Sequence, residues 1–260
     1  MKRVLPLTEP TLGLRKFLSD EKNGNWEQFR NYVDYYDSNR NSAYKELMLA
    51  LEYRQRGLCA YCEIDLKDTD RQIDHFHPKS DKPEGVDWTF IYTNLFAACK
   101  GGDYPFAPES KRFLKPAKKN LSCGAYRGNK VLNDDILNPA ELPTTPSVFL
   151  VNDAGEIKVD MAACKTAVIH DDRAQATIDK LNLNCTRLKN ARSEIWRKLE
   201  EDFQLLTEEG ESDSEALSKL ASDYLLPDEK GKLQEFFTTI RSYCGHYSES
   251  LLQDSAEAWL

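Results

Sequence analysis

Two cysteines separated by two residues, Cys59 and Cys62, constrain the fold of this chain more than any other feature. A Cys-x-x-Cys turn offers two sulfurs to one metal ion, and Cys99 and Cys123 can complete a tetrahedral set of four thiolates around Zn²⁺. A structural zinc site contributes directly to folding, so it organises the segments that supply its ligands. The other three cysteines are expected to be ordinary small apolar residues in helices: Cys164, Cys185 and Cys244.

An aspartate and two histidines lie between the two halves of this cysteine set, in the sequence Asp74-His75-Phe-His77-Pro. A carboxylate is a hard oxygen ligand, and an imidazole beside it has a pKa near neutrality. Together they suit the metal-assisted hydrolysis of a phosphodiester. The alternative is a structural zinc knuckle in which Asp74 and His75 are incidental.

The composition predicts a globular protein with a substantial core. The chain has 260 residues, of which 40% are hydrophobic and 30% are charged. No apolar run approaches the roughly 20 residues that cross a bilayer, and no apolar signal segment follows the first residues. We therefore expect a cytoplasmic protein without membrane contact, and its seven cysteines favour a metal site over disulfides.

The net charge of −8 is unevenly distributed along the chain. Residues 200–229 contain eleven acids and a single base, Lys219, whereas residues 111–130 contain no acid. A basic segment near the Asp-His pair suits a nucleic-acid backbone, and the alternative is a solvated basic loop. The bases of this segment are Lys111, Arg112, Lys115, Lys118, Lys119, Arg127 and Lys130.

Apolar spacing predicts two N-terminal helices, one starting at Trp26 and extending to Tyr36, and one over about residues 42–56 that stops at Gly57. After the cysteine turn, residues 63–67 and 72–76 are predicted to form two paired strands. Strand alternation would place Asp74 and His75 on opposite faces. The strand must therefore end or bulge there if both residues serve one phosphate.

The remainder of the chain is predicted to contain a hairpin and then helices. Residues 147–151 and 156–159 flank a turn-forming Asn-Asp-Ala-Gly sequence, which is typical of a β-hairpin. From residue 170 onward the apolar pattern is helical, with Asn184 in position to cap a long helix. Two further helices are expected, over about residues 215–226 and 228–244.

The order of these motifs resembles the HNH endonucleases of the ββα-metal type, and more narrowly the PtuB-like nucleases of Septu and retron anti-phage systems. The resemblance rests on the sequences from Gln55 to Glu63, from Asp74 to Ser80 and from Asn94 to Cys99, and on Leu137-Asn-Pro139. A further match at 177–184 extends it to about residues 1–195.

The resemblance implies an α+β fold in which a ββα-metal HNH core, residues 57–140, lies between an N-terminal helical segment, 1–56, and a hairpin with C-terminal helices, 141–260. It implies structural Zn²⁺ on the four cysteines and a catalytic Mg²⁺ or Mn²⁺ on Asp74. His75 would be the general base, and Asn94 would orient the catalytic loop, a role compatible with a simple helix cap.

Other residues of this region are candidates for substrate contact. His77, Lys79, Arg127 and Lys130 carry donors suited to phosphates, and His77 is alternatively a metal ligand. The chain departs from simpler family members in two ways. Between Cys99 and Cys123 lie 23 residues instead of two, and Gly124 stands where a His or Asn provides the third HNH residue. Either water fills that place or another residue does, and Asn129 is the nearest polar candidate.

The predicted function is therefore a metal-dependent endonuclease that cleaves nucleic acid, with DNA as the family substrate, in anti-phage defence. The alternatives are cleavage of RNA such as tRNA, and a zinc-knuckle binding module without catalysis. The resemblance implies a PtuA-like ATPase as partner and, in a retron, a reverse transcriptase with its RNA–DNA product. The C-terminal helices, 170–206 and 215–260, are predicted either to bind that ATPase or only to cover the nuclease core.

Overall fold

The computed structural model describes residues 1–82, 85–102 and 118–255, apart from the side chain of residue 118. In this part of the chain, ten α-helices and two small antiparallel sheets form an α+β fold. The strands are β1 (Gln72–His75), β2 (Leu95–Ala98), β3 (Phe149–Val151) and β4 (Ile157–Val159). The helices are α1 (Leu12–Asp20), α2 (Trp26–Arg30), α3 (Ala43–Arg54), α4 (Cys123–Arg127), α5 (Met161–Thr166), α6 (Asp171–Lys180), α7 (Thr186–Glu208), α8 (Asp213–Leu225), α9 (Phe237–Cys244) and α10 (His246–Asp254).

The N-terminal helices begin at residues that satisfy free backbone N–H groups. The hydroxyl oxygens of Thr11 and Ser42 accept such bonds in the first turns of α1 and α3. Helix α3 confirms the helix predicted over about residues 42–56. It ends before Gly57, whose φ of 83° is a conformation that glycine adopts without strain.

The helix predicted to extend from Trp26 to Tyr36 is much shorter than the apolar spacing indicates. Helix α2 has five residues, and Val33 and Tyr36 are exposed beyond it. The chain leaves the helix at Asn31, whose side-chain amide donates to the Glu27 carbonyl and to the Glu27 carboxylate. Local side-chain bonds of this kind compete with the helical backbone pattern, so the predicted helix was wrong beyond its first five residues.

The first sheet corrects the predicted strand pairing. Residues 63–67 were expected to pair with 72–76, but β1 pairs antiparallel with β2, and Asp74 lies opposite Phe96. Within 63–67 there is one isolated β-bridge, at Asp65. All four residues of β2 are buried, so its pairing with β1 removes a fully apolar strand from water.

The predicted hairpin is confirmed, since β3 pairs antiparallel with β4 around a turn at residues 152–155. The expectation that Asn184 caps the long helix was wrong. Its side chain instead bonds the backbone N–H and carbonyl of Ile157 in β4, and so ties the hairpin to the helical region. Helix α7 begins after Cys185, which makes no side-chain cap bond.

The C-terminal helices differ in part from their predicted positions. Helix α8 confirms the helix expected over about 215–226, whereas the segment 228–244 becomes helical only at Phe237. The backbone gives the reason, because the N–H of Phe236 donates to the carbonyl of Glu63 and not to a preceding helical turn. A third helix, α10, follows α9 directly.

The hydrophobic core runs across the three predicted parts of the chain. One cluster of buried side chains extends from Met1 to Ala191 and also includes Phe236. A second, smaller cluster joins α7 to α10 and includes Leu58 from the N-terminal half. The division into segments 1–56, 57–140 and 141–260 therefore stays a prediction, and the main core contains side chains from all three segments. None of the helices described is both long and apolar enough to span a membrane.

Candidate active site

The four cysteines singled out by the sequence lie together in the core. The Sγ atoms of Cys59, Cys62, Cys99 and Cys123 are all within 4.8 Å of one another. The Sγ–Sγ distance is 3.6 Å between Cys62 and Cys99 and 3.9 Å between Cys99 and Cys123. A tetrahedral ion with Zn–S bonds of about 2.3 Å requires sulfurs about 3.8 Å apart. The donor set therefore fits one structural metal ion such as Zn²⁺.

Backbone amides and a buried arginine surround these sulfurs. The Cys99 N–H donates to Sγ of Cys59 at 3.3 Å, and the Gly101 N–H donates to Sγ of Cys99 at 3.4 Å. Arg187 extends from α7 and donates to the Ser122 hydroxyl at 2.6 Å, one residue before Cys123. Hydrogen bonds and positive charge around thiolates orient and stabilise a metal site.

His75 is the last residue of β1, and its imidazole is buried against aromatic side chains. The Trp26 ring meets it edge-on, with ring centroids 4.4 Å apart, and Nε2 lies 2.9 Å from the Thr89 carbonyl oxygen. A carbonyl can only accept, so Nε2 carries the proton and Nδ1 is the unprotonated nitrogen. Burial lowers the pKa of His75 to about 4, so the ring is neutral at physiological pH.

Asp74 faces the other side of the strand, as strand alternation predicted, and β1 ends at His75, as the sequence requires if both residues serve one phosphate. Its Oδ2 accepts a hydrogen bond of 2.5 Å from the Tyr61 hydroxyl and one of 2.7 Å from Nη2 of Arg127. The Arg127 guanidinium also donates to the carbonyls of His75 and Phe76, where the strand ends. Burial raises the pKa of Asp74, and the charge of Arg127 opposes that rise.

Gly124 stands where the resemblance predicts the third HNH residue. It lies in the first turn of α4, and a Cβ built on it would lie 2.5 Å from Oδ1 of Asp74. That distance is far inside van der Waals contact, so the Asp74 carboxylate itself fills the space of a third side chain. Asn129, the predicted substitute, is exposed two residues after the end of α4.

Asn94 fixes the loop that follows β1. Its Oδ1 accepts the His77 N–H at 2.7 Å, and its Nδ2 donates to the carbonyls of His77 at 3.0 Å and Trp88 at 3.1 Å. The Trp88 indole is stacked on the His77 ring, with centroids 4.0 Å apart and planes 10° apart. These bonds are of the kind that a loop-orienting asparagine would make.

The remaining candidates for substrate contact differ in exposure. Lys79 is exposed, with Nζ 5.4 Å from the centre of the Trp26 ring, and Lys130 is exposed beyond α4. Arg127 is buried and forms an ion pair with Asp74. Its contact with a phosphate stays a prediction. Three bases of the predicted basic segment lie outside the described residues: Lys111, Arg112 and Lys115.

The fold and the site together define an α+β protein with a four-cysteine cluster, of a geometry that fits a metal ion, beside an Asp-His pair at the end of a strand. The chain is similar to the protein "Retron Ec83 putative HNH endonuclease" of Escherichia coli, with 33% identity over 216 residues. The matched region covers 75% of this chain and 79% of that protein. The chain therefore belongs to the retron-associated HNH endonucleases, which are hydrolases acting on phosphodiester bonds. No family model matches the chain.

Two contacts of the site were missed by reasoning from the sequence. Tyr61 bonds Asp74, and the signal was present, because Tyr61 stands between the two cysteines of the Cys-x-x-Cys turn. Thr89 orients His75 through its backbone carbonyl. Every residue has this group, so the sequence could not indicate which residue would bond His75.

Proposed function

We propose that this HNH endonuclease cuts DNA in a divalent-metal-dependent reaction, as the nuclease of a retron anti-phage defence system. The observation that supports this most directly is the state of His75. Its Nε2 lies 2.9 Å from the Thr89 carbonyl oxygen, which can only accept, so Nε2 carries the proton and Nδ1 is left as a base. A purely structural zinc knuckle has no need of an imidazole held in this way.

In the proposed reaction, Nδ1 of His75 accepts a proton from the attacking water. The water oxygen forms a bond to phosphorus, and the bond from phosphorus to the 3′ oxygen breaks. The Thr89 carbonyl, 2.9 Å from Nε2, stabilises the imidazolium that forms. A general base of this kind contributes about 10²–10⁴-fold to the rate.

Asp74 is the proposed ligand of the catalytic ion, Mg²⁺ or Mn²⁺. Mg²⁺ commonly keeps several waters and binds one or two carboxylates together with substrate phosphates, so one half-buried carboxylate is a suitable protein donor. Asn129 is a further candidate ligand from the exposed segment after α4. When bound, the ion supplies positive charge that stabilises the pentacovalent phosphate and the leaving oxygen.

The remaining roles follow from position. Asn94 holds the loop that carries His77 and Lys79, which we propose as phosphate contacts together with Lys130. The four-cysteine site would hold structural Zn²⁺, because four buried thiolates leave no position for substrate.

The test is cleavage of plasmid DNA and of total cellular RNA by the zinc-loaded protein, with Mg²⁺ or with EDTA. We expect Mg²⁺-dependent DNA cleavage, reduced about 10²–10⁴-fold in His75→Ala because the base is lost. His170→Ala is the matched control, since His170 is exposed at the start of α6 and makes no cap bond. If His75→Ala cleaves DNA at the wild-type rate, His75 is not the general base. If the protein cleaves RNA and not DNA, the proposed substrate is wrong.

We also propose that the C-terminal helices bind a partner, a PtuA-like ATPase, beside a retron reverse transcriptase with its RNA–DNA product. With a net charge of −8, the chain alone should bind nucleic acid weakly at physiological salt. Deleting residues 210–260 would be a poor test, because it removes Phe236 from the main core. Reversing the charge of exposed acids at the end of α7 leaves the core intact.

The partner test uses the double variant Glu208→Lys with Glu209→Lys. We expect it to lose co-purification with a PtuA-like ATPase while it retains zinc. The same charge change at two exposed N-terminal acids, Glu9→Lys with Asp34→Lys, is the control. If the first variant co-purifies normally, the partner does not bind at this end of the C-terminal helices.

A further inference from the structure

The carboxylate of Asp74 is enclosed by residues that belong to the metal-binding segments. Tyr61 lies between Cys59 and Cys62. Gly124 and Arg127 lie on α4, the helix whose first residue is Cys123. Every one of these contacts therefore comes from a segment that the four-cysteine site holds in place.

The two oxygens of Asp74 have different surroundings. Oδ2 accepts both the Tyr61 hydroxyl, at 2.5 Å, and the Arg127 guanidinium, at 2.7 Å. Among the described residues no hydrogen bond reaches Oδ1, which faces the backbone of Gly124 across a gap too small for a Cβ atom. The Tyr61 ring and the Arg127 guanidinium also lie against each other, 5.8 Å from ring centre to Cζ.

We propose that Tyr61 and Arg127 are positioning residues that hold Asp74 by Oδ2 and thereby present Oδ1 to the catalytic divalent ion. This inference rests on the proposed function, in which Asp74 binds that ion. Gly124 is also required, because a side chain at this position would occupy the space in which Oδ1 lies.

The physical reason is preorganisation of a short, charged side chain. A carboxylate held by two donors on one oxygen keeps one rotamer, so the other oxygen needs no reordering when an ion binds. Arg127 adds a second constraint, since the same guanidinium bonds the carbonyls of His75 and Phe76. It thereby fixes the backbone between the ion ligand and the base.

A consequence follows for the four-cysteine site. Its ion would touch neither substrate nor catalytic ion, yet it fixes the turn that carries Tyr61 and the start of the helix that carries Arg127. Correct placement of Asp74 therefore depends on the intact metal-binding cluster.

The test is binding of Mn²⁺ to the zinc-loaded protein, measured by electron paramagnetic resonance without nucleic acid. Partners that orient a metal ligand typically change metal affinity by about 10–100-fold when removed, and we expect a loss of that size in Tyr61→Phe. Zinc content should match the wild type, because phenylalanine fills the same volume and leaves the four cysteines in place. The matched control is Tyr35→Phe, which removes a hydroxyl bonded to the Glu46 carboxylate at 2.7 Å and should bind Mn²⁺ normally.

Two more variants separate this inference from the proposed function. Arg127→Lys keeps the charge but cannot bond Asp74 and two carbonyls together, so it should also weaken Mn²⁺ binding with zinc retained. Asp74→Ala should abolish the binding. If Asp74→Ala abolishes it and Tyr61→Phe binds Mn²⁺ as the wild type does, the positioning role is wrong and the function stands. If Asp74→Ala binds Mn²⁺ normally, both are wrong.

Discussion

At the scale of single residues, the site depends on what surrounds two neighbouring side chains. Asp74 and His75 are adjacent in sequence but contact different elements, because successive residues of a strand face opposite sides. Asp74 is bonded by donors from the metal-binding segments, and His75 is enclosed by Trp26 and the Thr89 carbonyl. Gly124 matters at this scale because of the side chain it lacks.

The variant Gly124→Ala should reduce cleavage strongly while leaving zinc bound. The added Cβ would lie 2.5 Å from Oδ1 of Asp74, so the carboxylate must move from the place in which Tyr61 and Arg127 hold it. We expect a loss of about tenfold or more, comparable to loss of a partner that orients a metal ligand. The measurements are the single-turnover cleavage rate and the zinc content, and an unchanged rate would contradict the placement of Asp74.

At the scale of elements, one short 3₁₀ turn, Trp88–Phe90, supports both histidines of the site. Its Thr89 carbonyl accepts from His75, and its Trp88 stacks on His77. Asp87 caps this turn, since its Oδ1 accepts the Thr89 N–H at 2.9 Å. The positions of two candidate functional side chains therefore depend on one capping carboxylate.

The variant Asp87→Ala should lower the free energy of unfolding by about 1 kcal/mol and reduce cleavage as the turn loosens. The bonds to Thr89, with a contribution from Lys82, lower the pKa of Asp87 to about 2. A carboxyl with a lowered folded-state pKa stabilises the fold above its ordinary value of 3.8, and that contribution is lost as the pH falls toward about 2. The difference between variant and wild type should therefore be constant above that window and shrink within it.

Denaturant unfolding at several pH values measures this difference, together with cleavage rates at neutral pH. Ser212→Ala is the matched control, because Ser212 caps α8 in the same manner. It should lose similar stability and cleave DNA at the wild-type rate. Equal losses of cleavage in both variants would mean that general destabilisation, and not the turn, limits the reaction.

At the scale of the whole molecule, the four-cysteine cluster joins the two halves of the chain. The N–H of Cys123 donates to the carbonyl of Leu181, and Arg187 of α7 bonds the neighbouring Ser122. One residue after Cys62, the Glu63 carboxylate accepts bonds from the Thr238 backbone N–H and hydroxyl. The C-terminal helices are therefore packed around the cluster whether or not they also bind a partner.

The purified protein should contain close to one zinc per chain, and Cys123→Ser should lose it and become insoluble. Structural zinc contributes about 10 kcal/mol or more to folding, which exceeds the stability of most domains. The matched control is Cys164→Ser, a buried cysteine outside the cluster, which should keep its zinc. Metal analysis and gel filtration check both variants, and a soluble Cys123→Ser protein with full zinc would remove Cys123 from the site.

The sequence by itself determined the chemistry that local spacing encodes. The cysteine set, the Asp-His pair, the helix over about residues 42–56 and the hairpin around 152–155 could all be predicted, because each rests on a short pattern of residue types. The family resemblance likewise rests on such patterns, and the relative of 33% identity supports it.

Only the tertiary structure decided which groups surround the functional side chains. The strand partner of β1, the tautomer of His75 and the enclosure of Asp74 depend on segments far apart in the chain, as with Arg127, which lies 53 residues after Asp74. The physical reason is that buried polar groups must find hydrogen-bond partners wherever packing brings them. Spacing along the sequence carries no record of which distant donor or carbonyl packing will provide.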